Sequence, residues 1–76
     1  MEEKRHCLIF DMTKAGIFAT VINALMTLNV GFSAEYNRDK KCIITFACSD
    51  VIWRILNTNV ENRFWRHRLK DYEEEL

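Results

Sequence analysis

Three cysteines and two histidines are the side chains of this chain that are best suited to chemistry. A metal site would need several of them to meet at one ion. Cys42 and Cys48 share one face of a predicted strand, but six residues separate them, which is roughly 20 Å along a strand and too far for a shared ion. His6 and Cys7 point to opposite faces of another strand. We therefore expect no metal site and interpret the cysteines as buried, reduced thiols.

Nucleophilic catalysis has one candidate position, the run Cys48-Ser49-Asp50. It lies at a predicted strand-to-helix junction, where a helix N-terminus can lower the pKa of a thiol. However, neither histidine has a spacing that places it there as a base, and Ser49-Asp50 is typical of a helix cap. The chain has no glycine-rich phosphate loop, HExxH motif or nucleophile elbow. We expect a protein without catalytic residues or a cofactor, and not an enzyme.

Nucleic-acid binding is indicated by one basic and aromatic run, Arg63–Lys70. On a continuous helix, its basic side chains would share a face: Arg63, Arg66, His67 and Lys70. Trp65 would offer a stacking surface for a base. Acidic residues follow at once, and Glu74 is spaced to pair with Lys70. The formal net charge of zero also argues against a protein that coats nucleic acid, so this function is the alternative hypothesis.

Length and composition limit the architecture. Seventy-six residues make one domain, residues 1–76, and 49% hydrophobic residues exclude disorder. The absence of proline and the presence of only two glycines predict short loops. An odd number of cysteines without a CxxC pair favours a cytoplasmic protein with reduced thiols. The uncharged run Ala15–Ala34 is long enough to cross a bilayer, but its polar residues and its strand-like end make a membrane span the less favoured interpretation.

Hydrophobic periodicity predicts the first four elements. His6–Met12 is apolar on both alternating faces, which indicates a strand that is central in its sheet or covered on both sides. Ala15–Leu28 has an apolar stripe with helical spacing. Val30–Tyr36 alternates as a strand with one wet face, Asn37–Lys40 is a polar turn, and Lys41–Cys48 is a third strand.

The C-terminal third is predicted to be helical with a break. One apolar stripe is followed by a second on nearly the opposite side, formed by Trp65, Leu69, Tyr72 and Leu76. The stretch Asn57–Asn62 contains poor helix formers, and Thr58 and Glu61 have the spacing of a capping box. We therefore predict a helix over about 50–57 and a second over about 59–72. The alternative is one long helix whose distal stripe docks on another chain.

The predicted fold is of the α+β class with the order β-α-β-β-α(-α). Placing the first strand beside the third, antiparallel to it, makes a small two-layer sandwich with a three-stranded sheet, a ferredoxin-like half that lacks the last strand. The outer edge of the first strand would remain open, and such an edge can pair with another strand.

Three surfaces are left over for binding: this open edge, the distal stripe, and an uncharged strip on the first helix that includes Gly16. The predicted partner-binding residues are Trp53, Trp65, Leu69, Tyr72, Thr20, Asn23 and Thr27. Alternatively, the distal helix folds back over the strip within the monomer.

The leading hypothesis for function is a small interaction module, forming a homodimer, that binds and modulates a larger protein. Inhibition of that protein is the expected effect, and the composition suits an accessory protein of a phage or another virus. A regulator that binds nucleic acid through the basic helix face is the second hypothesis, and a small membrane-associated protein is the third.

Overall fold

The computed structural model describes residues 3–74, which form a small compact α+β domain. The elements of this part are β1 (Lys4–Asp11), α1 (Ala15–Thr27), β2 (Phe32–Tyr36), β3 (Lys41–Cys48), α2 (Asp50–Arg63) and β4 (Glu73–Glu74). Two 3-10 turns lie at Met12–Lys14 and Leu69–Tyr72. The α+β class and the order of the first four elements agree with the predictions.

The sheet has four strands among the described residues, in the order β2-β3-β1-β4, and every neighbouring pair is antiparallel. The prediction of a three-stranded sheet that lacks its last strand is therefore wrong. The extra strand is β4, which pairs with Cys7 and Leu8 at the edge expected to be open. Two consecutive glutamates have no apolar alternation, so no strand pattern is present in the sequence at this point.

The core lies on one face of the sheet. Alternate residues of β1 and β3, such as Leu8 and Ile44, are fully buried and pack with the buried residues of both helices. On the opposite face, Ile9 and Ile43 are directly paired and only half-buried. The central position of β1 between β3 and β4 explains why the middle of the strand, Cys7–Phe10, is apolar on both faces.

Helix α1 buries Ile17, Val21 and Leu25, which recur at every fourth position. It ends in a Schellman-type cap. Asn29 has a left-handed backbone with a φ of 59°, its N–H donates to the Met26 carbonyl, and the Val30 N–H donates to the Leu25 carbonyl at 2.9 Å. The cap turns the chain directly into β2.

Helix α2 is continuous from Asp50 to Arg63, so the predicted break within residues 57–62 is wrong. Ser49 caps it by accepting a hydrogen bond from the Ile52 N–H, as expected. Leu56 and Val60 are both buried on its core side. This packing holds the weak helix formers in place, because tertiary burial outweighs propensity in a short helix. Thr58 does not begin a second helix, and its hydroxyl donates to the Arg54 carbonyl.

The chain leaves α2 at Phe64 and turns back toward β1. The predicted second helix over 59–72 and the alternative of one long helix are therefore both wrong. The turn places Arg66 in the left-handed region with a φ of 82°. After it, Leu69 enters the core, where it is 0% exposed.

The uncharged strip of α1 stays at the surface. Asn23 and Thr27 are exposed, Thr20 is half-buried, and Gly16 is exposed beside the Phe64 ring, so the C-terminal segment, as far as it is described, leaves most of the strip uncovered. The hydroxyls of Thr20 and Thr27 donate to carbonyls of their own helix. Within residues 3–74, neither helix combines the length and the apolar character that crossing a membrane requires.

Candidate interaction surface

A short turn at the end of α2 presents the most exposed large apolar side chain described. Trp65 is 71% exposed. The guanidinium of Arg66 lies over its ring at 4.2 Å from the centroid, a cation–π contact that joins the two side chains into one surface. We call Trp65 and Arg66 the Trp-Arg pair.

The turn is anchored on its helix side. The Phe64 N–H donates to the Val60 carbonyl at 2.7 Å, and the His67 N–H donates to the Phe64 carbonyl at 2.9 Å. The ring of Phe64 packs over Gly16 of α1, where a methyl group added to the glycine would lie 3.6 Å from the ring. These contacts restrict the backbone on both sides of Trp65.

The turn is also anchored on its other side. The His67 Nδ1 atom and the Tyr72 hydroxyl are hydrogen-bonded at 2.8 Å, and the Tyr72 ring packs against Phe10 with 4.8 Å between centroids. Burial, with a smaller effect of the Asp71 carboxylate, raises the pKa of Tyr72, so its hydroxyl stays protonated at neutral pH. With Leu69 in the core, the Trp-Arg pair stands on a backbone held at both ends.

The left-handed conformation of Arg66 has an energetic cost. For a residue with a side chain this conformation is about 1–2 kcal/mol less favourable than the right-handed one. Glycine would relieve the strain, yet the position carries arginine. Asn29 in the cap of α1 and Lys40 in the turn between β2 and β3 have the same conformation, so at Arg66 it marks the turn that redirects the chain toward β1.

Trp53 was predicted to anchor a partner, but its side chain packs within the molecule. Its ring stacks on His6, with 4.1 Å between centroids and 8° between planes. His6 is 7% exposed, and its Nδ1 donates to the Glu73 carboxylate at 2.5 Å, which ties β4 to β1 through side chains. The other ring nitrogen, Nε2, has no hydrogen-bond partner in the described part of the chain.

The other residues predicted to bind a partner have different positions. Leu69 is fully buried and Tyr72 is half-buried against the core, so both are used in the monomer. Thr20, Asn23 and Thr27 lie on the strip of α1, where the hydroxyls of Thr20 and Thr27 are hydrogen-bonded to carbonyls of their own helix. Leu76 lies outside the described residues. Among the three residues of the distal stripe that the structure describes, only Trp65 is a surface residue.

The four basic residues of the nucleic-acid hypothesis do not share a helix face. Arg63 is the last residue of α2, Arg66 lies in the turn, and Lys70 is in the 3-10 turn. His67 is hydrogen-bonded to Tyr72. Lys70 and Glu74 do not pair among the ion pairs of residues 3–74. Arg68 belongs to the predicted basic run but not to the four residues named as its face, and it lies 3.6 Å from the Glu61 carboxylate.

The three cysteines are free and buried. Burial raises the pKa of the Cys48 thiol, and the carboxylates of Glu3 and Asp50 raise it further. This is opposite to the activation that a helix N-terminus can give, so the thiol is held in its protonated, unreactive form. Among the residues that the structure describes, no group of histidine, cysteine and carboxylate side chains could hold a metal ion.

A second exposed apolar area lies on α2 and was missed in the sequence. Val51 and Ile55 are 58% and 39% exposed, and with Arg54, Thr58 and Asn59 they line a shallow depression of about 260 Å³. The spacing of Val51, Ile55 and Thr58 was the available signal, because it places them on one face of a helix, away from Leu56 and Val60.

Comparisons of the chain with protein-family models, curated proteins and solved structures give no match.

Proposed function

We propose that this chain is a small non-enzymatic interaction module that binds and modulates a larger protein through the Trp-Arg pair. The observation that carries the proposal is that Trp65 is 71% exposed on a turn that is anchored at both ends. Tryptophan and arginine are among the residues that contribute most to the affinity of protein interfaces. A turn that is already ordered also loses little conformational entropy on binding.

The charges around Trp65 define the chemistry of the partner. Arg63 and Arg68 are exposed residues that lie near Trp65 in sequence, on either side of the Trp-Arg pair, and Arg68 also lies 3.6 Å from the exposed Glu61 carboxylate. A matching site is an apolar or aromatic pocket that accepts the indole and has carboxylates at its rim. Arginine pairs well with carboxylates because its planar guanidinium forms two parallel hydrogen bonds.

Nucleic acid is the second candidate, because an exposed indole with arginines nearby can also stack on a base. Protein is favoured on three grounds. The basic residues are not aligned along one helix, and the net charge of the chain is zero. The helix-free face of the sheet has Ile9 and Ile43 at its centre, where a sheet that binds RNA through stacking would carry aromatic residues.

The test is photo-crosslinking from position 65 in the native host. A photoreactive phenylalanine analogue replaces Trp65, and the matched control carries it at Tyr36, an aromatic residue that is 54% exposed on β2. We expect a nuclease-resistant protein adduct from position 65 that position 36 does not give. The adducted protein is then purified, and its affinity for the wild-type chain is compared with that for Trp65→Ala and Tyr36→Ala.

Trp65→Ala should weaken this binding by at least about tenfold, as expected for a central aromatic anchor, while Tyr36→Ala changes it little. Circular dichroism should show both variants folded. An equal loss for both variants, or no protein adduct specific to position 65, overturns the proposal. An adduct that nuclease removes assigns the Trp-Arg pair to nucleic acid instead.

A further inference from the structure

The two edges of the sheet differ. At one edge, the described residues of β4 are both glutamates, Glu73 and Glu74. Short and charged edge strands discourage pairing with another chain. At the other edge, β2 has five residues, of which only Glu35 is charged, and Ser33 through Tyr36 are exposed. The edge of β2 therefore lacks the protection that the β4 edge has.

The hydrogen-bonding groups of β2 that face outward can be assigned from the turn that follows it. The Asn37 N–H donates to the Lys41 carbonyl at 3.1 Å, so this pair is hydrogen-bonded within the hairpin. Hydrogen-bonded and non-hydrogen-bonded pairs alternate along an antiparallel ladder. The N–H and C=O groups of Phe32, Ala34 and Tyr36 therefore point away from β3, toward the open edge.

We infer that β2 pairs with β2 of a second copy of this chain, antiparallel and centred on Ala34, to form one continuous eight-stranded sheet across a two-fold axis. Each copy contributes its four strands to this sheet. In this register Ala34 faces its own counterpart, and Phe32 faces Tyr36 of the second copy. All outward N–H and C=O groups of the three residues then find partners, because each of these pairs is of the hydrogen-bonded type.

The side chains are self-complementary in this register. Phe32 and Tyr36 of the second copy form an aromatic pair on the helix side of the sheet, once on each side of the axis. On the other side of the sheet, Ser33 faces Glu35 of the second copy, so a hydroxyl donor meets a carboxylate. Ala34, at the axis, is small enough for the two edges to approach each other.

Neighbouring registers are disfavoured by observed features. A shift that centres the pairing on Glu35 places two carboxylates opposite each other, which is destabilising. A shift that centres it on Ser33 brings Val30 opposite Tyr36 of the second copy. The Val30 N–H cannot then donate, because it is already bonded to the Leu25 carbonyl in the cap of α1. A single register thus satisfies both the charges and the backbone, which favours a second copy over an unrelated strand.

The experiment measures mass as a function of concentration by sedimentation equilibrium on the full chain. The chain has a mass of 9.1 kDa, so the dimer has twice that mass. The first variant, Ala34→Pro, removes an N–H that makes no bond within the monomer, and proline is tolerated at such edge positions. We expect wild type to dimerise in the micromolar range and Ala34→Pro to raise the dissociation constant at least about tenfold, from the loss of two symmetric hydrogen bonds.

A second set of variants changes the charges at the dimer contact, and so distinguishes loss of strand pairing between copies from loss of the monomer fold. Ser33→Glu puts a carboxylate opposite Glu35 of the second copy and should weaken the dimer, whereas adding Glu35→Lys should restore it. Both variants should keep the wild-type circular dichroism. A chain that stays monomeric at all concentrations up to about 1 mM overturns the inference, because the dissociation constant of a dimer of this kind should lie below that concentration. A dimer that Ala34→Pro and Ser33→Glu leave unchanged also overturns it, because its contact then lies elsewhere. Neither result bears on Trp65, since its proposed role is independent of the β2 edge.

Discussion

Leu69→Ala and Trp65→Ala form a matched pair for testing how the C-terminal segment is held. Both residues belong to the same apolar stripe in the sequence, but Leu69 is 0% exposed and Trp65 is 71% exposed. Truncation of a buried leucine removes its apolar contacts and leaves a cavity, which together lower the free energy of unfolding by about 2–5 kcal/mol. Trp65 contributes little buried area, so its truncation should change this free energy by less than about 0.5 kcal/mol.

The expected loss is large for a chain of this size. At roughly 0.05–0.15 kcal/mol per residue, the whole domain has about 4–11 kcal/mol of stability. A loss of about 3 kcal/mol at position 69 should lower the melting temperature by about 12–24 °C. Leu69 also anchors the segment that leads into β4, which pairs with β1, and that contains Tyr72, which packs against Phe10. The Leu69→Ala protein is therefore expected to be destabilised as a whole and to lose the β1–β4 pairing first.

The assay is urea unfolding followed by far-ultraviolet circular dichroism, with amide hydrogen exchange at Cys7 and Leu8, the residues of β1 that pair with β4. A lower midpoint with an unchanged m-value indicates loss of global stability, and a lower m-value indicates that the segment has already detached in the native state. If the two variants have equal stability within about 0.5 kcal/mol, Leu69 is not a core residue and the path assigned to residues 64–72 is refuted.

Two further predictions concern the core and the first helix. Because burial raises the pKa values of both Cys48 and Tyr72, the folded state binds these protons more tightly than the unfolded state. Stability should therefore be full below about pH 8.5 and fall at higher pH, and Cys48→Ala should reduce this fall in urea midpoints measured from pH 7 to 11. A midpoint that rises over this range contradicts the assignment. Gly16→Ala should raise the free energy of unfolding by about 0.5–1 kcal/mol, since the added methyl group meets the Phe64 ring at 3.6 Å, an ordinary contact. A lower melting temperature for this variant would show that Phe64 packs more closely on α1.

The elements up to β3 could be predicted because each carries its own pattern. The apolar residues of α1 recur with helical spacing, and β2 alternates over its whole length. The start of α2 was marked by Ser49, whose side chain caps the helix. In these segments local preference and tertiary packing favour the same structure, so a short window of sequence contains enough information.

The C-terminal region could not be predicted in the same way. Asn57 and Thr58 favour a break by propensity, but burial of Leu56 and Val60 keeps the helix intact, and this burial depends on strands far away in sequence. Strand β4 is held beside β1 by side-chain contacts rather than by strand preference. Leu69 is buried in the core just before it, and His6 of β1 is hydrogen-bonded to Glu73. Trp65 could be named from the sequence only for its residue type, because the anchored turn that exposes it depends on the end of α2 at Arg63.

Folding buries most of the large apolar side chains of the described residues and leaves a few exposed. The exposed large apolar side chains of the described structure are Met12, Met26, Tyr36, Val51, Ile55 and Trp65. Isolated exposed apolar residues are common on soluble proteins, so most of these need no special explanation. Trp65 is different, because the largest type of apolar side chain lies outside the core, with the Arg66 guanidinium against its ring. Burial within the fold does not account for this exposure, and a partner that accepts the indole would account for it.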